Sequence, residues 1–515
     1  MKKDKSLAFS LSPLAFCLSS LAVCLLPYVA LSCWFTDTYL SLQDDSFFLF
    51  TVDYFRFKLP MQPAVSSWLS SLLTQFFHWP LIGALIQGLI AWLTVQCLRQ
   101  MLPANNRRFD LLVLLPSLIL LCVWPFVLLM QLQVLLLAFV LLIYCRLPRW
   151  WARLAWAVLL LPLGYMLVSM PFLIALFVLF AAVEWFVHKG RSRVAVVVLL
   201  AFCSLMLPPI YSQRVAFIPF EDRYQSGALD AALPLWSEEL REQNMYFRVV
   251  HAAEEERWND MRVAVRESGR MHTGLMQKYL LLSESAMGTL PENLFSYSIN
   301  TPEEFFYYHE RNLLTCQFNR LYYRNLELWD EAFHHAQEYF LLMPDACCFS
   351  SLTQMVDYSI REGEYDVAEK FLTILDHAPF YGRFVREQRE RMARQRTEVK
   401  FETPLRADNF VGGYPFNSEM VRLLQNTRCN RRRVYDFLLC GLLLQKNLPH
   451  FNAVVHGFPD LLPNPLPAAY AQAYRLLQTQ GQVPDEECLP GTYYHYFRYV
   501  PIPEPNARMI QSAGH

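Results

Sequence analysis

Seven long apolar segments in the first 211 residues constrain the fold of this chain more than any other feature. They lie near residues 7–34, 80–101, 110–126, 127–146, 153–168, 170–188 and 193–210. A helix that crosses the hydrocarbon core of a bilayer needs about 17–25 mostly apolar residues, which these segments approach or meet. The sequence therefore predicts an all-α N-terminal bundle of about seven transmembrane helices in residues 1–211.

Charge divides the chain at the same point. Residues 1–211 carry 14 Lys and Arg against 7 Asp and Glu, whereas residues 212–515 carry 31 against 39. A basic, apolar first part and an acidic second part indicate a membrane domain followed by a soluble one.

The basic residues of the first part predict its orientation. They cluster at the N-terminus and in segments 98–110, 146–153 and 188–193, which all fall on one side if there are seven spans. By the positive-inside rule this side is cytoplasmic, so loop 35–79 and everything after about Leu207 lie outside. In a bacterium, the chain is then a multi-pass inner-membrane protein with a periplasmic C-terminal domain. Membrane lipid is a predicted partner, and nucleic acid is not expected outside the membrane.

Helical periodicity dominates the soluble part, in which three fragments resemble one another. They are 257-RWNDMRVAV-265, 328-LWDEAFHHA-336 and 364-EYDVAEKFL-372. Trp258 precedes Trp329 by 71 residues, and Tyr365 follows 36 residues later. The first interval is close to twice the second, so we expect one diverged repeat within it.

A period of about 34 residues with a small residue opening the second helix resembles the tetratricopeptide repeat. Ala332 and Ala368 match its small helix-packing position, and Pro344 matches its closing proline. Pro379 is one residue out of step, and the early Trp and Leu-Gly signature of the repeat is absent. The resemblance implies a surface for a peptide or protein partner; alternatively, the domain packs on its own membrane half. The predicted order is a linker at 212–234, tetratricopeptide-like helical repeats at 235–400, and further helical pairs with an aromatic, Pro-rich cap at 401–515.

The chain as a whole resembles a family of membrane proteins, and three segments show the resemblance most clearly. Segments 67-SWLSSLLTQFFHWPLIGALIQGLI-90, 430-NRRRVYDFLLCGLLLQKNLPHF-451 and 467-PAAYAQAYRLL-477 look like an uncharacterised family of membrane proteins from Bacteroidota. The members of that family combine an N-terminal multi-span region with tetratricopeptide-like C-terminal helices. The resemblance implies this architecture and no particular activity.

Loop 35–79 is far longer than the other loops and carries an acidic pair, Asp44 and Asp45. Segments 46–55 and 65–77 are predicted to be amphipathic helices in the membrane interface, joined by an extended turn with two prolines. The acids also suit an N-cap and a first-turn acid of a helix at 46–55. The sequence leaves this structural role and a catalytic role open.

A first span followed by a long extracytoplasmic loop with an acidic pair is similar to glycosyltransferases of the GT-C class. The resemblance implies that Asp44 and Asp45 are catalytic, removing a proton from an acceptor hydroxyl or holding a divalent cation. It further implies a polyprenyl-phosphate sugar as donor substrate, with Arg56, Lys58 and the neighbouring Asp53 as substrate-binding residues. The Ser-Phe-Phe that follows the acids departs from the pattern of that class.

Other polar residues are weaker candidates. Glu184 lies inside a predicted span, where an ionisable group is costly and marks a functional site or a local ion pair. His334 and His335 are adjacent rather than four apart, and the chain has no C-x-x-C, so the sequence supports no zinc site. Four span glutamines are expected to bond across helices, namely Gln87, Gln96, Gln131 and Gln133. Six cysteines of the outer domain permit disulfides, namely Cys316, Cys347, Cys348, Cys429, Cys440 and Cys488.

The leading functional hypothesis is an inner-membrane, GT-C-like glycosyltransferase that uses a lipid-linked sugar. The alternative is a non-catalytic, membrane-anchored scaffold whose repeat domain binds a partner in a cell-envelope complex. The sequence has no nucleotide-binding or hydrolase fingerprint, and its sparse charge within the spans disfavours a transporter.

Overall fold

The computed structural model describes most of the chain. The described residues are 13–59, 63–102, 112–186, 197–198, 200–202, 206, 231–268, 273–307, 310–343, 348–398, 415–426 and 428–501. Every regular element in these residues is helical, and no strand occurs among them, which confirms the all-α prediction. Most of the predicted linker at 212–234 lies outside the described residues, as do Pro344 and the end of the predicted cap.

The chain forms two compact units. The first comprises Met1–Asn244 with His377–Phe380, and the second comprises Met245–Asp376 with Tyr381–His515. The helices of the first unit are α1 (Pro13–Trp34), α2 (Thr36–Asp45), α3 (Val52–Lys58), α4 (Ala64–Thr74), α5 (Pro80–Met101), α6 (Leu115–Val123), α7 (Leu128–Arg146), α8 (Trp150–Leu167) and α9 (Met170–Phe186). The next helix, α10 (Glu238–Glu254), begins in the first unit and ends in the second.

Three helices of the first unit are long and apolar enough to cross a membrane. They are Phe16–Trp34 within α1, Pro80–Met101 and Leu128–Arg146. Three shorter apolar stretches are Leu112–Val123, Trp150–Leu160 and Met170–Phe186. The described residues therefore hold three candidate spans rather than about seven, and most of the segment predicted at 193–210 lies outside them.

The described part of the span predicted at 110–126 is too short to cross a bilayer, because its helix ends at Val123. Pro125 and Phe126 form a turn between α6 and α7, and the helical stretch Leu112–Val123 rises about 18 Å at 1.5 Å per residue. The hydrocarbon core of a bilayer is about 30 Å thick. The break predicted near residues 168–170 is confirmed, because α8 ends at Leu167 and α9 begins at Met170.

The close contact between α1 and α5 depends on a glycine. A Cβ atom at Gly88 would lie 2.6 Å from Leu25 Cδ2 and 2.9 Å from the Leu25 Cα. Ala84 and Ala91 are buried on the same face of α5. Small residues let the backbones of two helices approach closely. In a membrane such close packing drives helix association, because burying apolar surface gives no net gain in lipid.

The span glutamines link elements of the first unit, as predicted. The Tyr39 hydroxyl donates to Gln87 Oε1 at 2.6 Å, and Gln87 Nε2 donates to the Pro125 carbonyl at 2.9 Å. In the remaining bonds, Gln96 donates to Ser20 at 3.1 Å, Gln131 donates to Tyr28 at 3.1 Å, and Ser169 donates its hydroxyl to Gln133 at 2.7 Å. These bonds give each buried amide at least one partner, although Gln131 Oε1 and Gln133 Nε2 have no hydrogen-bond partner among the described residues.

The helices of loop 35–79 differ from those predicted. Residues 36–45 form α2, and the helix predicted at 46–55 is shifted to α3, Val52–Lys58. Thr51 causes this shift, because its hydroxyl accepts the Tyr54 backbone N–H at 3.1 Å and caps the new helix. The helix predicted at 65–77 is present as α4, followed by a single 3₁₀ turn at Gln75–His78.

The second unit is built from paired helices. They are α11 (Trp258–Glu267), α12 (Thr273–Met287), α13 (Leu290–Asn293), α14 (Leu313–Asn325), α15 (Trp329–Leu342), α16 (Phe349–Glu362), α17 (Tyr365–Leu375), α18 (Gly382–Glu398), α19 (Phe416–Asn426), α20 (Arg431–Leu444), α21 (Leu448–Gly457), α22 (Ala468–Gln478) and α23 (Tyr493–Tyr499). Each of the three similar sequence fragments begins a helix at its aromatic residue: α11, α15 and α17.

One turn geometry recurs at five helix junctions among the described residues of the second unit. Each turn has a residue with positive φ, namely Glu256, Gly288, Glu327, Gly363 or Lys446, and the next helix begins two residues later. At each, the following residue donates its N–H to the carbonyl five positions back, as Leu328 does to Tyr323 at 3.0 Å. This is the Schellman motif, which satisfies carbonyls at the end of a helix.

Gly288 lies between the Trp258 and Trp329 fragments, where the sequence predicts a diverged repeat. Three of the five positive-φ residues are not glycine, and their side chains make specific contacts. Arg324 pairs with Glu256, Asn430 donates to Glu327 at 3.1 Å, and Lys446 donates to the Phe497 carbonyl at 2.7 Å. These contacts offset a backbone strain of roughly 1–2 kcal/mol per residue.

Candidate functional site

The predicted catalytic pair lies at the end of α2, not at the start of a helix. Asp44 and Asp45 are the last two residues of that helix and are partly buried. The C-terminus of a helix carries a partial negative charge, so carboxylates are unfavourable there by a few tenths of a kcal/mol to roughly 1 kcal/mol. The interpretation of the pair as an N-cap and first-turn acid is therefore wrong, and helix stability does not account for their position.

A polar framework holds the chain immediately after the acids. Gln75 is fully buried and donates to the Ser46 carbonyl and, at 3.2 Å, to the Ser71 carbonyl. Gln43 donates to Gln75 Oε1 at 3.4 Å, and the Tyr54 hydroxyl donates to the Phe47 carbonyl at 2.5 Å. The acidic pair therefore lies on a hydrogen-bonded framework rather than in a loose loop.

The predicted substrate-binding residues separate on two faces of α3. Arg56 forms an ion pair with Asp53 at 3.4 Å, and their side chains are 72% and 90% exposed. Such exposed pairs contribute little stability. Lys58 is 2% exposed, and its Nζ lies 5.8 Å from the centroid of the Tyr54 ring. Arg56 and Lys58 therefore do not form one cationic site on this helix.

A buried ion pair lies between α8 and α9. Arg153 bonds Glu184 through two guanidinium nitrogens, with Nη2 3.3 Å from Oε2, and the Tyr144 hydroxyl donates to Glu184 at 3.0 Å. The Arg153 Nη1 donates to the Leu147 carbonyl at 3.0 Å. The paired groups are 6% and 2% exposed. The presence of Glu184 in an apolar helix is thus explained by a partner on the neighbouring helix, as one of the two sequence interpretations expects.

The second unit contains a cluster of metal-ligand residues that the sequence reasoning missed. Cys316 on α14 and His335 and Glu338 on α15 each offer one ligand atom, and these atoms all lie within 4.8 Å of one another. Glu338 Oε2 lies 3.7 Å from Cys316 Sγ and 3.6 Å from His335 Nδ1. The available signal was the i, i+3 spacing of His335 and Glu338, which places both on one helix face.

The environment of this cluster tunes its protonation. Burial, together with His334 and Arg311, lowers the pKa of the His335 imidazole to about 4, so the ring is neutral at pH 7. Burial and the adjacent Glu338 carboxylate raise the pKa of the Cys316 thiol to about 11. Cys347 lies outside the described residues, and the other five cysteines form no disulfide within the described part of the chain. They are Cys316, Cys348, Cys429, Cys440 and Cys488.

Other buried acids of the second unit have structural partners. Burial raises the pKa of Asp436 to about 6, but Arg432 donates to one oxygen at 2.9 Å and Tyr470 donates to the other at 3.0 Å. Glu284 accepts from Thr289, Asn293 and Tyr297 at 2.5, 2.7 and 2.7 Å. Both carboxylates are satisfied by protein groups and link helices, so neither is a catalytic candidate.

Comparisons with known proteins give a family and no activity. No curated protein matches the chain, and no solved structure does. Residues 11–492 match the family described as "Family of unknown function (DUF6057)". Because this match extends over both compact units and nearly the whole sequence, the protein belongs to that family.

Proposed function

We propose that the protein is a membrane-anchored scaffold whose second unit binds a protein partner of the cell envelope. The observation that carries this proposal is the recurrence of one helix–turn–helix geometry at five junctions in the described part of that unit. Arrays of such helical pairs bury their apolar faces against one another and present extended surfaces to partners. The tetratricopeptide-like repeat is the repeat class that we propose.

An exposed apolar patch supports a partner at one end of the hairpin formed by α14 and α15. Four leucines share this end, because α14 begins and the antiparallel α15 ends there. They are Leu313, Leu314, Leu341 and Leu342, exposed by 37%, 43%, 61% and 44%. We call these four residues the leucine patch. Contiguous exposed apolar residues in a soluble domain mark interaction sites more often than chance.

We further propose the topology that the basic loops predict. The N-terminus and the α7–α8 loop, with Arg146 and Arg149, face the cytoplasm, and the second unit lies on the opposite side, in the periplasm of a bacterium. The three long apolar helices support membrane insertion. About seven spans remain our proposal for the complete membrane domain, with the shorter apolar helices contributing to the bundle.

The partner proposal is tested by photocrosslinking in living cells. A photoreactive phenylalanine analogue replaces Leu314 or Leu341 in the full-length protein, and the matched control carries it at the exposed Asp330 beside the opposite end of the hairpin. We expect one envelope protein to be captured at both patch positions with at least about tenfold more adduct than at Asp330, because apolar anchors dominate such interfaces. Equal capture at all three positions would contradict the scaffold.

Two other outcomes of this experiment are informative. Adducts only with lipid would show that the leucine patch contacts the membrane and would contradict a protein partner. Adducts with cytoplasmic proteins would overturn the proposed topology while leaving partner binding intact.

A second function, transfer of a sugar from a polyprenyl-phosphate donor, rests on the acidic pair. Asp44 and Asp45 end α2, where helix energetics disfavour carboxylates, and residues that violate a local stability rule are often found at functional sites. In this proposal one carboxylate accepts the proton of an acceptor hydroxyl, or the pair holds a divalent cation against the donor phosphate. Because Arg56 is exposed and Lys58 is buried, the two remain separate candidates for the cation that would meet this phosphate.

The glycosyltransferase proposal is tested by the glycan profile of the cell envelope. A strain lacking the protein is complemented with the wild type, with Asp44→Asn/Asp45→Asn, or with Asp37→Asn at equal membrane abundance. Asp37 is a matched acid in the first turn of the same helix. We expect the double variant to lower the affected sugar by about tenfold or more, as loss of a general base does, and Asp37→Asn to restore it. Full restoration by the double variant would refute catalysis by these acids.

A further inference from the structure

We propose that Cys316, His335 and Glu338 form a zinc-binding site in the second unit. The site does not depend on either proposed function, because it lies on two helices of one hairpin and away from the acidic pair in sequence and in unit. Thiolate, imidazole and carboxylate are the three ligand types that zinc takes in proteins.

Two of the three separations between ligand atoms fit a tetrahedral ion, and the third, between Cys316 Sγ and His335, is within 4.8 Å. Zinc–ligand bonds of about 2.0–2.3 Å at tetrahedral angles place neighbouring ligand atoms about 3.3–3.8 Å apart. Glu338 Oε2 is 3.7 Å from Cys316 Sγ and 3.6 Å from His335 Nδ1, and both separations fall in this range. In the absence of an ion, Cys316 Sγ donates a hydrogen bond to Glu338 Oε2. The 3.6 Å between His335 Nδ1 and Glu338 Oε2 is longer than an N–H···O bond, which spans about 2.7–3.2 Å, so no direct hydrogen bond joins those two groups.

An unsatisfied nitrogen gives independent support. His335 Nδ1 is buried and has no hydrogen-bond partner. A buried imidazole nitrogen without a partner loses the free energy of a hydrogen bond, roughly 1–3 kcal/mol. A metal ion between Nδ1 and the Glu338 carboxylate satisfies both groups at once.

Neighbouring residues hold the ligands in orientation. The His335 ring stacks on Tyr323, with centroids 5.2 Å apart and planes 5° apart. The other carboxylate oxygen of Glu338, Oε1, faces His334 at 3.4 Å and Arg311 at 3.6 Å. These contacts leave Oε2 directed at Cys316 and His335. Supporting contacts of this kind typically orient the ligands of metal sites.

The expected ion is bound by three protein ligands and one water. Binding releases the thiol proton of Cys316 to solvent, and no redox change occurs. Three protein ligands with an open fourth position are typical of zinc sites that are not purely structural, whereas four protein ligands close a structural site. The ion also joins α14 to α15 at the end of the hairpin that carries the leucine patch.

The test uses the full-length protein in detergent with ZnCl₂ and, as a spectroscopic probe, CoCl₂. We expect one ion per chain, visible ligand-field bands of tetrahedral Co²⁺, and a near-ultraviolet thiolate-to-cobalt charge-transfer band. Cys316→Ser, His335→Asn and Glu338→Gln should each weaken zinc affinity by roughly 100-fold or more. The matched controls Cys440→Ala, at a fully buried thiol, and His450→Ala, at an exposed imidazole, should bind as the wild type does.

The cobalt spectrum of the wild type keeps the proposal falsifiable if a ligand variant fails to fold. Absence of the charge-transfer band with a reduced Cys316, or retention of that band in Cys316→Ser, would overturn the site. So would zinc affinity unchanged in His335→Asn and Glu338→Gln, or a Cys316 found in a disulfide in the native protein.

Discussion

Glu254→Ala is expected to destabilise the second unit by about 3–5 kcal/mol, because it leaves a buried guanidinium without its counter-charge. Arg320 is 0% exposed and is the largest fully buried side chain of the protein among the described residues. Its Nη2 bonds Glu254 on α10, and its Nη1 lies 3.3 and 3.4 Å from the hydroxyls of Ser350 and Ser351 on α16.

This guanidinium connects four helices. It projects from α14, and its central carbon lies 4.6 Å from the centroid of the Tyr339 ring on α15. The double variant Glu254→Ala/Arg320→Met should recover most of the loss, since an apolar side chain of similar length removes the buried charge itself. In the wild type, the contacts of the Arg320 side chain join these four helices.

Hydrogen exchange of the full-length protein measures this effect locally. Amides of α14 and α16 should lose protection in Glu254→Ala and regain most of it in the double variant. The matched control is Glu255→Ala, because Glu255 pairs with Arg257 on the surface, with side chains 62% and 48% exposed. It should cost no more than about 1 kcal/mol. Equal loss of protection in Glu254→Ala and Glu255→Ala would contradict the account of Arg320.

Glu184→Ala is expected to destabilise the first unit by a similar amount, about 3–5 kcal/mol. The substitution leaves Arg153, 6% exposed in its pair, facing the apolar core formed by α7, α8 and α9. Removing one partner of a buried ion pair leaves a charge that the surrounding apolar side chains do not solvate, so the loss exceeds the net stability that the pair itself contributes.

The measurement is thermal unfolding of the detergent-solubilised protein. A loss of 3–5 kcal/mol corresponds to a fall in Tm of roughly 6–20 °C. Glu184→Ala/Arg153→Met should recover most of this fall, whereas Arg146→Ala, which removes an exposed arginine bonded to the Gln100 carbonyl at 3.1 Å, should change Tm little. If the double variant is no more stable than Glu184→Ala, the ion pair is not the cause.

The sequence predicted the helix pairs of the second unit well because their signals are local. An aromatic residue followed three positions later by a buried residue marks the start of α11, α15 and α17, and Met261, Ala332 and Ala368 at that position are fully buried. Amphipathic periodicity and turn residues suffice for such elements.

Helix α2 was missed because its buried face is polar. Thr38, Tyr39 and Gln43 are buried there, and each bonds a residue far away in sequence: Asn244 at 2.9 Å, Gln87 at 2.6 Å and Gln75 at 3.4 Å. An apolar stripe is therefore absent from 36-TDTYLSLQDD-45, and periodicity gives no helix signal. The error moved Asp44 and Asp45 from the end of one helix to the start of another.

The Cys316 cluster was missed for a different reason. Cys316 and His335 are 19 residues apart on two helices, and only the antiparallel pairing of α14 with α15 brings them together. Metal motifs that are read from sequence rely on ligands within one turn or one helix. To predict ligands that converge across a hairpin, one must know how the two helices are aligned, and the sequence does not show this alignment.

The five Schellman turns also restrict where the chain can gain or lose residues. Between a positive-φ residue and the next helix there is one residue, and its N–H closes the turn, so an extra residue at this place would disrupt the motif. Successive turns at Glu256, Gly288, Glu327 and Gly363 are nevertheless 32, 39 and 36 residues apart. The length differences therefore arise outside the turns, in helix lengths and in connections such as 297–312. We therefore expect insertions and deletions to be accommodated in those segments and not in the turns.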